Sequence, residues 1–339
     1  MDNLIKSQIE KIGEKCKEIK PLVAIRCITY NHEKYIRDAL EGFMMQQTNF
    51  AYVVIVHDDY STDKTQSIIK EYCQQYPNKI LPIFETENLF SKGREFLLQV
   101  MNEAISETGA KYIALCEGDD YWIDPYKLQK QVDYMESHPE CGLCYTSFNI
   151  KDEIRGKIRV DLFKNEPEIF PGEYKSVEEF ILKQGYVCPP SWLMRASLWN
   201  IDLPVYIDAT FVWFADFMSK SKVQMLPDVT CVYRVIAESA SHSNNYDKMF
   251  IRQKNLLKTQ IMLIDQFGLP ESLKDVCRKT YYKRFLKSFI INSKREEVRI
   301  AKAELDQFTP VERILLFINY LRLNKLLKGI QNIKLQLKR

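Results

Sequence analysis

No apolar run in the chain approaches the ~18 consecutive residues that a membrane-spanning helix requires. None is therefore predicted. Residues 1–20, MDNLIKSQIEKIGEKCKEIK, are charged throughout and lack the apolar centre of a secretory signal, so a cytoplasmic setting is expected. The 9 cysteines form no framework: the count is odd, and most sit in apolar stretches such as ALCEG and VTCVY. The one CxxC, Cys141 to Cys144, has neither a second pair nor histidines beside it. Buried, reduced thiols are expected, not disulfides or a zinc site. The phosphate-cradling loops GxxxxGK[ST] and GxGxxG are both missing. So are internal repeats and low-complexity tracts.

What is present suits a globular chain with a sizeable core. The 339 residues are 46% hydrophobic and 27% charged, enough for one large α/β domain plus an appendage. The net charge of +3 hides an asymmetry. Residues 246–339 carry 21 Lys+Arg against 9 Asp+Glu, so the remainder is acidic. An acidic body with a basic tail implies two regions doing different work. With the body acidic and no nucleic-acid-binding module in view, nucleic acid is not expected as a partner.

Apolar runs and helical spacings alternate along the first half. PLVAIRCITYN, AYVVIVHDD, KILPIFET and KYIALCEG read as strands. KYIRDALEGFMMQQ, STDKTQSIIKEYCQQYP and REFLLQVMNEAISETG read as helices between them. The strands look apolar on both faces, which implies a mainly parallel sheet flanked by helices. Ligands of such sheets bind beyond the carboxyl ends of the strands. Asn31, Asp58, Asp59, Glu117, Asp119 and Asp120 all fall there. Residues 151–190 are turn-rich, VQMLPDVTCVYRV returns as strand, and the chain is helical from about residue 246. The expected division is an N-terminal helix at 1–20, a catalytic domain at 21–245 and a basic helical extension at 246–339.

Three acids crowd into ALCEGDDYW, and like charges about 4 Å apart repel by roughly 4 kcal/mol at an effective dielectric of about 20. With no glycine-rich loop to hold phosphate, the expected positive partner is Mg²⁺ or Mn²⁺. Such an ion takes one or two carboxylates and completes its shell with substrate phosphate oxygens. Glu117 and Asp119, two apart on an extended run, project the same way.

The stretches VAIRCITYNHEKYIRDAL, VIVHDDYSTDKT and YIALCEGDDYWIDPYKLQKQVDYM come in the order of the N-terminal motifs of family-2 glycosyltransferases of the GT-A fold, which they resemble. The resemblance is close over about residues 20–150 and looser over about 175–240. It implies an inverting, metal-dependent transferase. The sugar would pass from a nucleoside diphosphate, UDP in the first instance, to an acceptor hydroxyl in surface-polysaccharide synthesis. On this reading EGDD is the DxD region, with Glu117 in place of the usual first Asp and Asp119 as the metal carboxylate. HDDYSTD matches the family's DDGSTD with Tyr60 in place of Gly. Asp58 and Asp59 would face base and ribose, with Thr29, Tyr30, Asn31 and Lys92 lining the nucleotide. The catalytic base is Asp208 or Asp216. Trp192, Arg195 and Arg234 are acceptor or phosphate candidates, and Ile236 replaces the histidine usual after the VYR strand.

The tail begins TPVE, a capping-box start, and continues with an apolar stripe through Leu316, Tyr320, Leu323, Leu327 and Ile330 among basic residues. A basic amphipathic helix suits the anionic inner face of a membrane, where a lipid-linked saccharide acceptor would be found. Packing on the catalytic domain or on another subunit is the alternative. Two other functions compete. A sugar nucleotidyltransferase would carry a Gly-rich basic loop after the first strand, where TYNHEKY stands. A catalytically inactive nucleotide-binding partner subunit would bind nucleotide without turnover.

Overall fold

The computed structural model describes residues 2–199, 209–237 and 246–321. Asp208 lies outside them, as does the tail's stripe beyond Leu321. The elements run α1 (Asn3–Ile19), β1 (Val23–Thr29), α2 (Ile36–Met44), β2 (Tyr52–Asp58), α3 (Thr65–Gln75), β3 (Ile80–Phe84), α4 (Arg94–Glu107) and β4 (Tyr112–Leu115). There follow β5 (Tyr121–Trp122), α5 (Lys127–Ser137), β6 (Cys141–Asp152), β7 (Lys157–Arg159), α6 (Leu162–Asn165), α7 (Val177–Lys183) and β8 (Leu193–Arg195). The chain continues with α8 (Ala209–Lys220), β9 (Lys222–Val235), α9 (Tyr246–Gln266), α10 (Ser272–Ile291), α11 (Arg295–Glu304) and α12 (Pro310–Tyr320).

The strands join one curled sheet in the order β3-β2-β1-β4-β8-β6-β9-β5, with β7 on β6. β1, β2, β3 and β4 pair in parallel, as do β6 and β9. The three-residue β8 runs antiparallel between β4 and β6, and β5 antiparallel on β9. The expectation of a mainly parallel sheet flanked by helices is met. All seven residues of β2 are buried, as a strand covered on both faces must be.

Local signals set the element ends. Asp2 caps α1 by accepting the Ile5 N–H at 2.8 Å. Thr309 and Glu312 form the reciprocal capping box of α12. Two compact units result: residues 1–180 with 185–249, and residues 181–184 with 250–339. The first unit includes α1, which buries Ile5, Ile9 and Ile12 and exchanges hydrogen bonds between Gln8 and the Phe84 backbone.

In the second unit α12 buries Leu315 but exposes Val311, Ile314, Phe317 and Tyr320, and Leu321 just after it is also exposed. Among the described residues no helix is long and apolar enough to cross a membrane.

Candidate functional site

The parallel register brings the strand-end polar residues together. Thr29 lies across from Asp58 on β2. The β1–β4 ladder continues past Leu115, with Cys116 N–H donating to Arg26 O and Gly118 N–H to Ile28 O. The acids of EGDD therefore stand beside Ile28 and Thr29. Gly118 is required by this closeness, since a Cβ there would meet Thr29 Oγ1 at 2.7 Å. At the end of β2, Tyr60 has φ +65°. The left-handed turn of a glycine is thus kept by a residue that is strained in it.

The crowded acids have different partners. Glu117 accepts from Arg26 Nη1 at 2.6 Å and from the Ile28 N–H at 2.7 Å, so both its oxygens are engaged. Asp120 is buried and accepts the Arg234 N–H at 2.8 Å. Burial pushes its carboxyl well up, and the neighbouring Asp119 pushes it further. The Arg234 side chain is spent as well: Nη1 donates to Asp119 O of the acidic loop at 3.0 Å, Nε to Glu153 after β6 and Nη2 to Asp38 of α2. Its guanidinium lies 4.3 Å from the Tyr121 ring centroid and 5.3 Å from that of Tyr35.

Asp119 is the exception. It is half-buried, and burial is the largest cause raising its carboxyl, opposed by His32. Among the described residues no other residue donates to its carboxylate. A divalent cation needs few protein oxygens when a diphosphate supplies the rest, and Asp119 fits that part. Among the described residues no cluster of three or more ligating side chains exists. The sequence reading assigned the acids' positive partner to a metal alone. The structure gives Glu117 to the buried Arg26 guanidinium and Asp120 to the backbone N–H of Arg234.

Around Asp119, other polar atoms also lack partners. Asp58 Oδ2 accepts from the Ser61 N–H and Gln66 Nε2, while its buried Oδ1 has none. Thr29 Oγ1 and His32 Nδ1 are buried and unpaired. Asp59 instead accepts the Leu89 and Phe90 N–H groups at 2.7 and 3.1 Å, tying down the segment that bears Lys92. Lys92 pairs with Glu87 in solvent. Asn31, at φ +54°, exchanges hydrogen bonds with Ser61 and Thr62, and Tyr30 is exposed.

Three nominated residues lie elsewhere. Arg195 sits at the amino end of β4, paired with Tyr112. It donates to the carbonyls of Cys141, Met135 and His138 and to the Tyr112 hydroxyl. Trp192 is fully enclosed, its ring 5.3 Å from Phe214. Asp216 is buried within α8 and pairs with Lys220 at 2.8 Å. Arg26 and His32 were missed. A signal existed for Arg26: one charge inside a strand buried on both faces must find a carboxylate.

Comparison with known proteins gives the family and the fold. Residues 25–202 match glycosyl transferase family 2. An uncharacterized protein of Mycobacterium tuberculosis is 33% identical over 231 residues, 67% of this chain and 62% of that protein. The match thus spans less than two thirds of that relative. The Escherichia coli protein WfaP, named a UDP-Glc:alpha-D-GlcNAc-diphosphoundecaprenol beta-1,3-glucosyltransferase, is 28% identical, covering 70% of this chain and 86% of its own. Among solved structures, Staphylococcus aureus TarS residues 1–349 with UDP-GlcNAc superposes with a TM-score of 0.57 at 18% identity, over 84% of this chain and 79% of that one. At that identity the likeness is one of fold.

Proposed function

The chain belongs to glycosyl transferase family 2, and from that premise we propose that it transfers a glycosyl group from a nucleoside-diphosphate sugar to an acceptor hydroxyl with inversion. One observation carries this reading: Asp119, Asp58 Oδ1 and Thr29 Oγ1 keep unspent hydrogen-bonding capacity at one carboxyl edge of the sheet. Buried polar groups are otherwise paired, and open sheets of this kind bind ligands at that edge.

Asp58 Oδ1 accepts from a ring N–H of the base, as uracil offers. WfaP's name supports UDP as the nucleotide. Asp119 holds Mg²⁺ or Mn²⁺, and Arg234 and Asp120 fix the loop that presents it. When bound, the cation neutralises the charge that builds on the departing diphosphate. A carboxylate takes the acceptor hydroxyl's proton, the oxygen bonds to the anomeric carbon, and the bond to the diphosphate breaks. Asp208 is the base on this reading, since Asp216 is buried and ion-paired.

The acceptor is a saccharide, lipid-linked as WfaP's name suggests, and the setting is polysaccharide synthesis at the cytoplasmic face. The outward apolar residues of α12 and the basic composition of 246–339 support peripheral membrane contact there.

Thermal unfolding with UDP, dTDP, GDP and CMP, each with and without Mn²⁺, tests the donor site. A ligand at about 100 times its Kd adds roughly 2.7 kcal/mol. A metal-dependent shift with one nucleotide, lost in Asp119→Ala, is the expected result. No shift with any nucleotide removes the reading.

A further inference from the structure

Beyond the acidic loop, the rings of Phe148, Phe170, Tyr186 and Tyr233 gather on one face of the sheet. Phe148 of β6 and Tyr233 of β9 share that face, since Phe148 pairs with Cys231 and Ile150 with Tyr233. Phe148 is wholly buried. Phe170, after α6, packs edge-on against it at 5.6 Å, and Tyr186, after α7, at 6.3 Å. Tyr186 also meets the Phe170 ring at 6.3 Å and the Tyr233 ring at 6.4 Å. Next to Tyr233, the Arg234 N–H donates to Asp120 and the Arg234 side chain to the Asp119 carbonyl. The aromatic wall and the acidic loop are therefore held by one stretch of backbone.

Tyr186 combines two properties that rarely coincide. Solvent reaches 36% of it, yet its hydroxyl lies against the wholly buried Cys188 thiol. Burial pushes that hydroxyl well up, and Cys188, Tyr233 and Asp120 push it further. A tyrosine on a convex surface turns its hydroxyl to water and packs its ring. An accessible tyrosine with its hydroxyl inward lines a recess, and the nearness of Asp120 sets that recess beside the acidic loop. The rim is polar: the Arg159 guanidinium stands 5.5 Å from the Phe170 ring and donates through Nε to Glu166 at 2.6 Å.

A recess of aromatic carbon with a few polar groups at its edge takes a ligand that is both apolar and polar. A hydrocarbon chain has no use for Arg159 and Glu166, and a bare ion none for the rings. A pyranose uses both: its C–H face packs on aromatic carbon, and its hydroxyls reach the rim. We propose that Tyr186 and Tyr233 form the wall against which a saccharide ring of the acceptor packs, with Tyr186 as the specificity-determining residue. The assignment rests on the transferase reading and adds to it the side chains that select the acceptor. Trp192, fully enclosed, and Arg195, engaged with backbone carbonyls, do not fill that role.

Saturation-transfer difference NMR on the full-length protein with UDP and Mn²⁺ tests the wall directly. Aromatic protons are irradiated. The probes are the methyl glycosides of N-acetylglucosamine, glucose, galactose and mannose, with cyclohexanol as a ring of similar size that lacks the hydroxyl pattern. Transfer to the ring C–H protons of at least one glycoside is expected. Tyr186→Leu weakens its binding about tenfold, the scale of one lost aromatic contact, and Tyr233→Leu weakens it less. Tyr186→Phe keeps the ring, drops the hydroxyl and binds as the wild type does. The nucleotide-dependent thermal shift is the same in all three variants, which also shows that they fold.

A nucleotide shift without transfer to any glycoside at tens of millimolar overturns this assignment alone. So does equal transfer to cyclohexanol, which makes the recess merely apolar, or undiminished glycoside binding in a Tyr186→Leu protein that keeps its nucleotide shift. A wild type without any nucleotide shift overturns the donor reading, and the acceptor wall with it.

Discussion

At the carboxyl edge of β1, β2 and β4, polar side chains stand close together with hydrogen-bonding capacity left over: Asp119, Asp58 Oδ1, Thr29 Oγ1 and His32 Nδ1. Around β8, the polar side chains are equally well placed for chemistry by type, but they are spent. Arg195 donates to three backbone carbonyls and a tyrosine hydroxyl. Lys127 is wholly buried, donating to Gln131 Oε1 and Trp192 O, with its ammonium 4.4 Å from the Trp122 ring. The first region pays a stability cost to remain able to bind, and the second uses the same chemistry to fix three strands and α5. Residue type does not separate the two; unspent capacity does.

The largest break in that contrast is expected from Asp119→Asn. Transfer should fall about 10³-fold, the scale for losing one positioned electrostatic group, while the fold is kept. Because burial raises the Asp119 carboxyl, the native state favours its protonated form. The wild type gains stability relative to the variant in acid, below the ordinary carboxylate range, and loses it as pH rises through the raised folded value. Turnover assays beside unfolding at pH 4 and pH 8 check both halves. A variant that loses stability and activity together would make Asp119 a structural residue like Arg195.

Lys127 gives the next largest effect. Burial lowers its pKa from 10.5 to about 8, so between those values the unfolded chain holds a proton that the folded one has released. Wild-type stability relative to Lys127→Met therefore rises by about 3 kcal/mol across that window and is lost as pH falls through about 8. Denaturant unfolding of both proteins at pH 7 and pH 10 measures it. Nucleotide binding at pH 7 should be the same in both.

Arg195→Met should cost about 2 kcal/mol by stranding buried carbonyls, with nucleotide Kd unchanged. Calorimetric binding beside thermal unfolding separates the two, and a weakened Kd would return Arg195 to the binding machinery. The smallest effect belongs to Tyr60→Gly, which relieves a strained left-handed residue and should raise stability by about 1 kcal/mol. A fall in melting temperature would mean that the exposed Tyr60 ring contributes packing that outweighs the strain.

Particular residues show how far the sequence could be read. The strand ends at Thr29, Asp58 and Leu115 were legible because apolar runs end there in turn-forming polar residues, and the Thr309–Glu312 capping box because it spans four positions. The three-residue β8 was not legible as an antiparallel insertion, since so short a strand has no periodicity to show. In α12 the exposed apolar residues include Val311, Ile314 and Phe317 beside Tyr320 of the expected stripe, whose Leu323, Leu327 and Ile330 lie outside the described residues. Helical spacing alone does not say which face Leu315 buries. The sequence determined the order of elements and the edge where the acids gather, because periodicity, capping and strand termination are local properties. Only the tertiary structure decided which acid stays open. Glu117 is answered by Arg26, 91 residues away, and Asp120 by Arg234, 114 away, and pairing at such separations is set by strand register, not by any neighbour in the chain.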